Sequence, residues 1–85
     1  MHVSYTPNFV RQFKVLDRAL QQEILEKIRL FKDRKNHSML KVHKLHGRLV
    51  GRYSFSVNYR FRIVFSYLSR AEAVLLAVGD HGIYF

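Results

Sequence analysis

Three segments of this 85-residue chain gather groups that can move protons and hold phosphate. They are Lys41-Val42-His43-Lys44-Leu45-His46-Gly47, the stretch Tyr59–Phe65 with Arg60 and Arg62, and Val78-Gly79-Asp80-His81-Gly82-Ile83-Tyr84-Phe85. Together they supply imidazole, ammonium, guanidinium and phenol groups and few carboxylates. Such a set does not suit a hard cation such as magnesium, which needs several oxygen ligands. It does suit cleavage of RNA without a metal. A base takes the proton of the ribose 2′-hydroxyl, cations stabilise the charge building on phosphorus, and an acid protonates the departing 5′-oxygen. RNA brings its own nucleophile, so no serine or cysteine is required and DNA is not cut.

Each group also has a plainer role. His43 and His46 fit solvated loop positions, and His81 fits a turn residue paired with Asp80. Arg60 and Arg62 fit solvent-facing strand positions, and Tyr84 and Phe85 fit core aromatics or a frayed end. His43-x-x-His46 has a spacing that can bind a transition metal, but no cysteine and no obvious third ligand accompanies it. No metal and no cofactor is expected.

The charge favours a polyanionic partner. Fifteen Lys and Arg against six Asp and Glu give +9, and residues 27–62 hold eleven of the basic side chains against Asp33 alone. Nucleic acid is the commonest partner for such a patch, and Lys41, Arg48, Arg52 and Arg60 within it are the expected RNA contacts. An anionic membrane or an acidic protein would also match the charge. No apolar run approaches the ~20 residues of a membrane span, and the N-terminus does not read as a signal peptide, so a cytoplasmic protein is expected. Without cysteine there is neither a disulfide scaffold nor a thiolate metal site. The length suits one domain over residues 1–85.

The elements that must position these groups follow from the hydrophobic period. His2–Tyr5 alternates weakly, as a short strand would. Thr6-Pro7 suits a helix start, with Phe9, Val10, Phe13 and Leu16 at helical spacing behind it. Asp17 can cap a second helix whose stripe is Leu20, Ile24, Ile28 and Phe31, and a helical hairpin is expected. Residues 33–43 lose the period and read as a basic loop. From Gly51 the period is two: Gly51–Val57 and Tyr59–Phe65 form a strand pair turning at Asn58. Ala73–Val78 is apolar on both faces, as in the interior of a sheet. The order β-α-α-β-β-β predicts an α+β domain with two N-terminal helices packed on a small, antiparallel-rich sheet. On that reading Arg60 and Arg62 lie on the sheet face opposite the aromatic stripe, beside the basic loop.

The joint pattern resembles a toxin of the RelE/ParE superfamily from type II toxin–antitoxin modules, over nearly the whole chain. The most specific matches are Lys44-Leu45-His46-Gly47, the element Arg62–Phe65, and the ending from Gly79-Asp80-His81 to Tyr84. The resemblance implies the RelE-like fold and an endoribonuclease of the mRNA-interferase kind, related to RelE and YafQ. It would cut mRNA on the ribosome through the 2′-hydroxyl and be neutralised by a cognate antitoxin. Carried over by position, Lys44 in the loop before the strand pair is a phosphate or transition-state contact, Arg62 the arginine at the scissile phosphate, and His81 a general acid or base. Tyr84 or Phe85 would position the nucleotide, and His43 is a second acid–base candidate. Ser54 and Ser56 stand where ribosome-dependent relatives often carry another Lys or His, and no carboxylate lies between residues 43 and 62. Two other outcomes share the superfamily: a ParE-like inhibitor of DNA gyrase, and a basic nucleic-acid-binding relative with weak or no catalysis.

Overall fold

The computed structural model describes residues 1–80. His81, Tyr84 and Phe85 lie outside the described residues. The chain opens with strand β1 (His2–Tyr5) and turns into helix α1 (Pro7–Lys14) at Thr6. Thr6 has extended backbone, and its hydroxyl accepts the Phe9 N–H at 3.1 Å, satisfying one of the free donors of the first turn. Val15 to Asp17 break the helical run. Asp17 then caps helix α2 (Arg18–Phe31), its carboxylate accepting the Leu20 N–H at 2.8 Å. Ile24, Ile28 and Phe31 are the buried stripe of α2, as their spacing predicts.

After α2 come a 3₁₀ turn (Arg34–Asn36), strand β2 (His43–Lys44) and a second 3₁₀ turn (Gly47–Leu49). Strands β3 (Tyr53–Ser56), β4 (Arg62–Ser69) and β5 (Glu72–Gly79) complete the regular structure of the described residues. The sheet runs β1-β5-β4-β3-β2, antiparallel except for the parallel pair β1–β5. Two helices packed on a five-stranded mixed sheet make the α+β architecture read from the sequence. The core is Phe55, Ile63, Phe65, Leu75 and Val78 from one sheet face against Phe9, Ile24, Ile28 and Phe31 from the helices. Phe31 is its centre, stacked on Phe55 (centroids 4.4 Å apart) and on His37 (4.8 Å), with Phe65 edge-on.

The structure departs from the sequence reading in three places. His43 and Lys44 do not lie in a loop; they pair with Ser54 and Tyr53 as a two-residue edge strand. The fourth strand begins at Arg62, not Tyr59, because the Asn58 side chain takes over the backbone there. Its amide oxygen accepts the N–H groups of Arg60 (2.9 Å) and Phe61 (2.8 Å), an Asx-type turn that competes with a ladder. Finally, β4 and β5 slip register between Val64 and Phe65, whose partners are Ala77 and Leu75, so Leu76 bulges out.

That bulge lies where β1 ends and β5 continues. Side chains complete the bare edge: the Thr6 hydroxyl lies 3.0 and 3.2 Å from the Leu75 and Leu76 carbonyls, and the Asn8 amide donates to Leu76 O at 2.9 Å. The Val78 N–H donates to the Gln12 side-chain oxygen at 2.8 Å. The first two turns of α1 thus do for β5 what a longer β1 would have done.

Candidate functional site

Arg62 opens β4 opposite Ser56 of β3 and Gly79 of β5. Its partners show which way it points. Ile63 is in the core, so Arg62 is on the other sheet face, with Ser54 and Ser56. Its guanidinium donates to the Ser56 hydroxyl at 2.5 Å, which fixes the fork while leaving other donors for a ligand. The Ser56 N–H in turn donates to Leu40 O at 2.8 Å and ties the end of β3 to the segment before β2.

That segment delivers Lys41. The Leu40 side chain is buried in the core, and Lys41 follows with φ 58, the left-handed conformation that costs most residues other than glycine. Hydrogen bonds on either side hold it: Lys41 N–H to Ser38 O at 3.1 Å, and Val42 N–H to His37 O at 3.0 Å. Lys27 arrives from the half-buried flank of α2, one residue before Ile28. Lys27, Lys41 and Arg62 face a cleft of about 470 Å³ floored by Leu30, Leu40 and Val57 and edged by Asn58 and Tyr59. No carboxylate is among its described lining residues.

Asn58 clamps the far wall. Besides the turn it closes with its amide oxygen, its Nδ2 donates to Glu23 Oε1 at 2.8 Å, binding the β3–β4 turn to α2. Clamp, strand end and left-handed lysine place three cations around one concavity whose described lining residues include no carboxylate. The charge of such a site suits a phosphodiester. Among the described residues no group of three or more His, Asp or Glu side chains could hold a metal, and no helix is long and apolar enough to cross a membrane.

Of the residues singled out from the sequence, Lys41 and Arg62 meet in this cleft. His43 is exposed and pairs with Ser54, hence on the Arg62 side of the sheet, and its Nδ1 lies 2.8 Å from Lys41 O. Arg52 flanks the same sheet face, over a separate depression with Asn8, Gln12 and Val64. Lys44 pairs with Tyr53 and therefore points to the opposite face, away from Arg62. Arg48 is exposed in the second 3₁₀ turn. Arg60 is not a strand residue opposite the aromatic stripe; it lies in the turn, its guanidinium 5.5 Å from the Phe61 ring centre. Lys27 and Tyr59 were not singled out, although Lys27 begins the cationic stretch and Tyr59 stands next to Arg60, and Ser56 was noted only as a departure from the family pattern.

No family model matches the sequence, and no curated protein matches it. Solved structures do match. The YoeB–YefM complex from Staphylococcus aureus aligns with a TM-score of 0.74 at 18% identity, over 95% of this chain and 97% of that chain. YafQ from E. coli aligns with a TM-score of 0.73 at 14% identity, over 98% and 96%. The archaeal RelE–RelB complex from Pyrococcus horikoshii aligns with a TM-score of 0.70 at 20% identity, over 95% and 94%. The chain shares the fold of these YoeB, YafQ and RelE structures.

Proposed function

We propose that this chain is the toxin of a type II toxin–antitoxin module and an endoribonuclease that cuts mRNA on the ribosome without a metal. The observation that carries the reading is the cleft: Lys27, Lys41 and Arg62 around one concavity with no carboxylate among its described lining residues. A phosphodiester there meets the Arg62 fork at its non-bridging oxygens, while the two ammonium groups neutralise charge as the pentavalent transition state forms. A base removes the 2′-hydroxyl proton, O2′ attacks phosphorus, and the P–O5′ bond breaks as the 5′-oxygen gains a proton. The products are a 2′,3′-cyclic phosphate and a free 5′-hydroxyl.

His81 is the acid–base group of this reading, with His43 as the second candidate and Tyr84 or Phe85 holding the nucleotide. Gly79 is the ladder partner of Arg62. Lys44 and Arg48 contact RNA outside the cleft. The partner that restrains the enzyme is an antitoxin of acidic or amphipathic character, and the site of action is the cytoplasm. Two of the structural neighbours are complexes, of YoeB with YefM and of RelE with RelB, which supports a protein partner here.

Inducible expression followed by primer extension on an abundant mRNA tests the reading. Wild type should give in-frame cuts. Arg62→Ala should reduce them by about 10²–10³-fold, the usual effect of removing a transition-state donor. His81→Ala should fall by about 10²–10⁴-fold, as for a general acid or base. Growth arrest with intact mRNA would instead favour gyrase inhibition, checked by a supercoiling assay. Neither arrest nor cutting would leave a plain basic binding module.

A further inference from the structure

Tyr59 is 86% exposed, the most exposed large apolar side chain among the described residues. It is also a wall of two cavities at once. On one side is the cationic cleft with Lys27, Lys41 and Arg62. On the other is a cavity of about 440 Å³ that Tyr59 shares with Asp17, Glu23, Arg60 and Phe61. The first wall is cationic. The second mixes ring surface with hydrogen-bonding groups of both signs.

A tyrosine with this exposure gains nothing for the core, yet its backbone is firmly held. Asn58 fixes the turn through three hydrogen bonds, to Glu23, Arg60 and Phe61, the residues around Tyr59. An exposed ring on a rigid turn beside a phosphate-binding concavity has the features of a stacking platform for single-stranded nucleic acid. Phosphate contacts carry affinity and register, while a ring at the groove edge takes the base.

We propose that Tyr59 is the stacking platform of a nucleobase subsite: an unpaired RNA base next to the bound phosphate lies on its ring, in the cavity shared with Asp17, Glu23, Arg60 and Phe61. This rests on the reading of the cleft as an RNA site. Stacking tolerates any base, and the mixed wall of carboxylates and guanidinium discriminates between base edges.

The test compares wild type, Y59A, Y59L, Y59F and the pair K41A and R62A. The probes are an uncleavable 2′-O-methyl oligoribonucleotide of five unpaired bases and inorganic polyphosphate. Y59A and Y59L should weaken oligonucleotide binding roughly ten- to a hundredfold, Y59F should preserve it, and polyphosphate binding should be the same in all three. K41A and R62A should weaken both probes. The chain has no tryptophan, so Y59W installs a single reporter whose emission should be quenched by the oligonucleotide and not by polyphosphate. If Y59A binds the oligonucleotide like wild type while K41A and R62A do not, the platform is wrong and the cleft stands. Equal loss of both probes in Y59A also overturns the platform, since the ring then acts on phosphate binding. If K41A and R62A bind both probes as wild type does, the cleft reading and the platform fail together.

Discussion

At the scale of single residues, the site depends on side chains whose backbones the fold constrains. Lys41 is the clearest case, a lysine with φ 58 between two backbone hydrogen bonds. Glycine accepts that conformation at no steric cost, so Lys41→Gly should be more stable than Lys41→Ala by about 1 kcal/mol in urea denaturation. Both variants should bind RNA more weakly, and the slope of log affinity against log salt should fall by about one, as for the loss of one phosphate contact. Arg62 was legible in the sequence because it stands one residue from a core isoleucine in a period-two run, which fixes its face. Lys27 was not. Between Ile24 and Ile28 it reads as another outer-face charge of a helix, and only the arrival of the β3–β4 turn makes it a cleft wall. Tyr59 was hidden differently: Tyr59, Phe61, Ile63 and Phe65 alternate as a strand would, and the Asn58 side chain overrides that pattern.

At the scale of elements, the contacts to change are those that stand in for missing ladder. Asn58→Ala removes the bond to Glu23 and both turn bonds, and should cost about 1–3 kcal/mol by chemical denaturation. Thr6→Ala removes a helix cap and the hydroxyl at the β5 edge, and should cost about 1–2 kcal/mol by the same measure. On the far side of the sheet, Tyr67 of β4 packs edge-on against Tyr53 and Phe65, with the Arg34 guanidinium 5.7 Å from its ring centre. Burial raises the Tyr67 pKa above the ordinary 10.0, opposed by Arg34. The folded protein then keeps this proton where the unfolded chain has lost it, so the stabilising contribution is present below the ordinary tyrosine value and is lost as pH rises through the folded one. Denaturation midpoints followed from pH 9 upward should fall, and less steeply in Tyr67→Phe. Both helix caps were legible, because Thr6-Pro7 and Asp17 are side-chain chemistry acting within a few residues. Strand β2 was not, because two residues carry no period and their pairing is decided by Tyr53 and Ser54 ten residues on.

At the scale of the whole molecule, +9 on 85 residues concentrates ten net positive charges in residues 27–62, and the fold gathers part of that charge around one concavity. RNA affinity of the free protein should therefore fall steeply with salt, measured as log K against log salt with a slope set by the phosphates neutralised. The layered α+β class was legible, since the hydrophobic period changes once, from helical to alternating, and the two kinds of element need each other's apolar faces. The strand order was only half legible. Hairpin neighbours β3, β4 and β5 follow from short connections, whereas the parallel pairing of β1 with β5 joins His2 to Glu72 across the length of the chain.

That last pairing sets a schedule for synthesis. Strand β1 leaves the ribosome well before its partner Glu72–Gly79, the strand whose Gly79 also faces Arg62 across the β4–β5 ladder. Translation therefore passes through many codons in which the helices and the β3–β4 hairpin can form while β1 still lacks its partner. The sheet closes only after β5 has emerged, so β1 and the free edge of β4 stay unpaired until that strand is made.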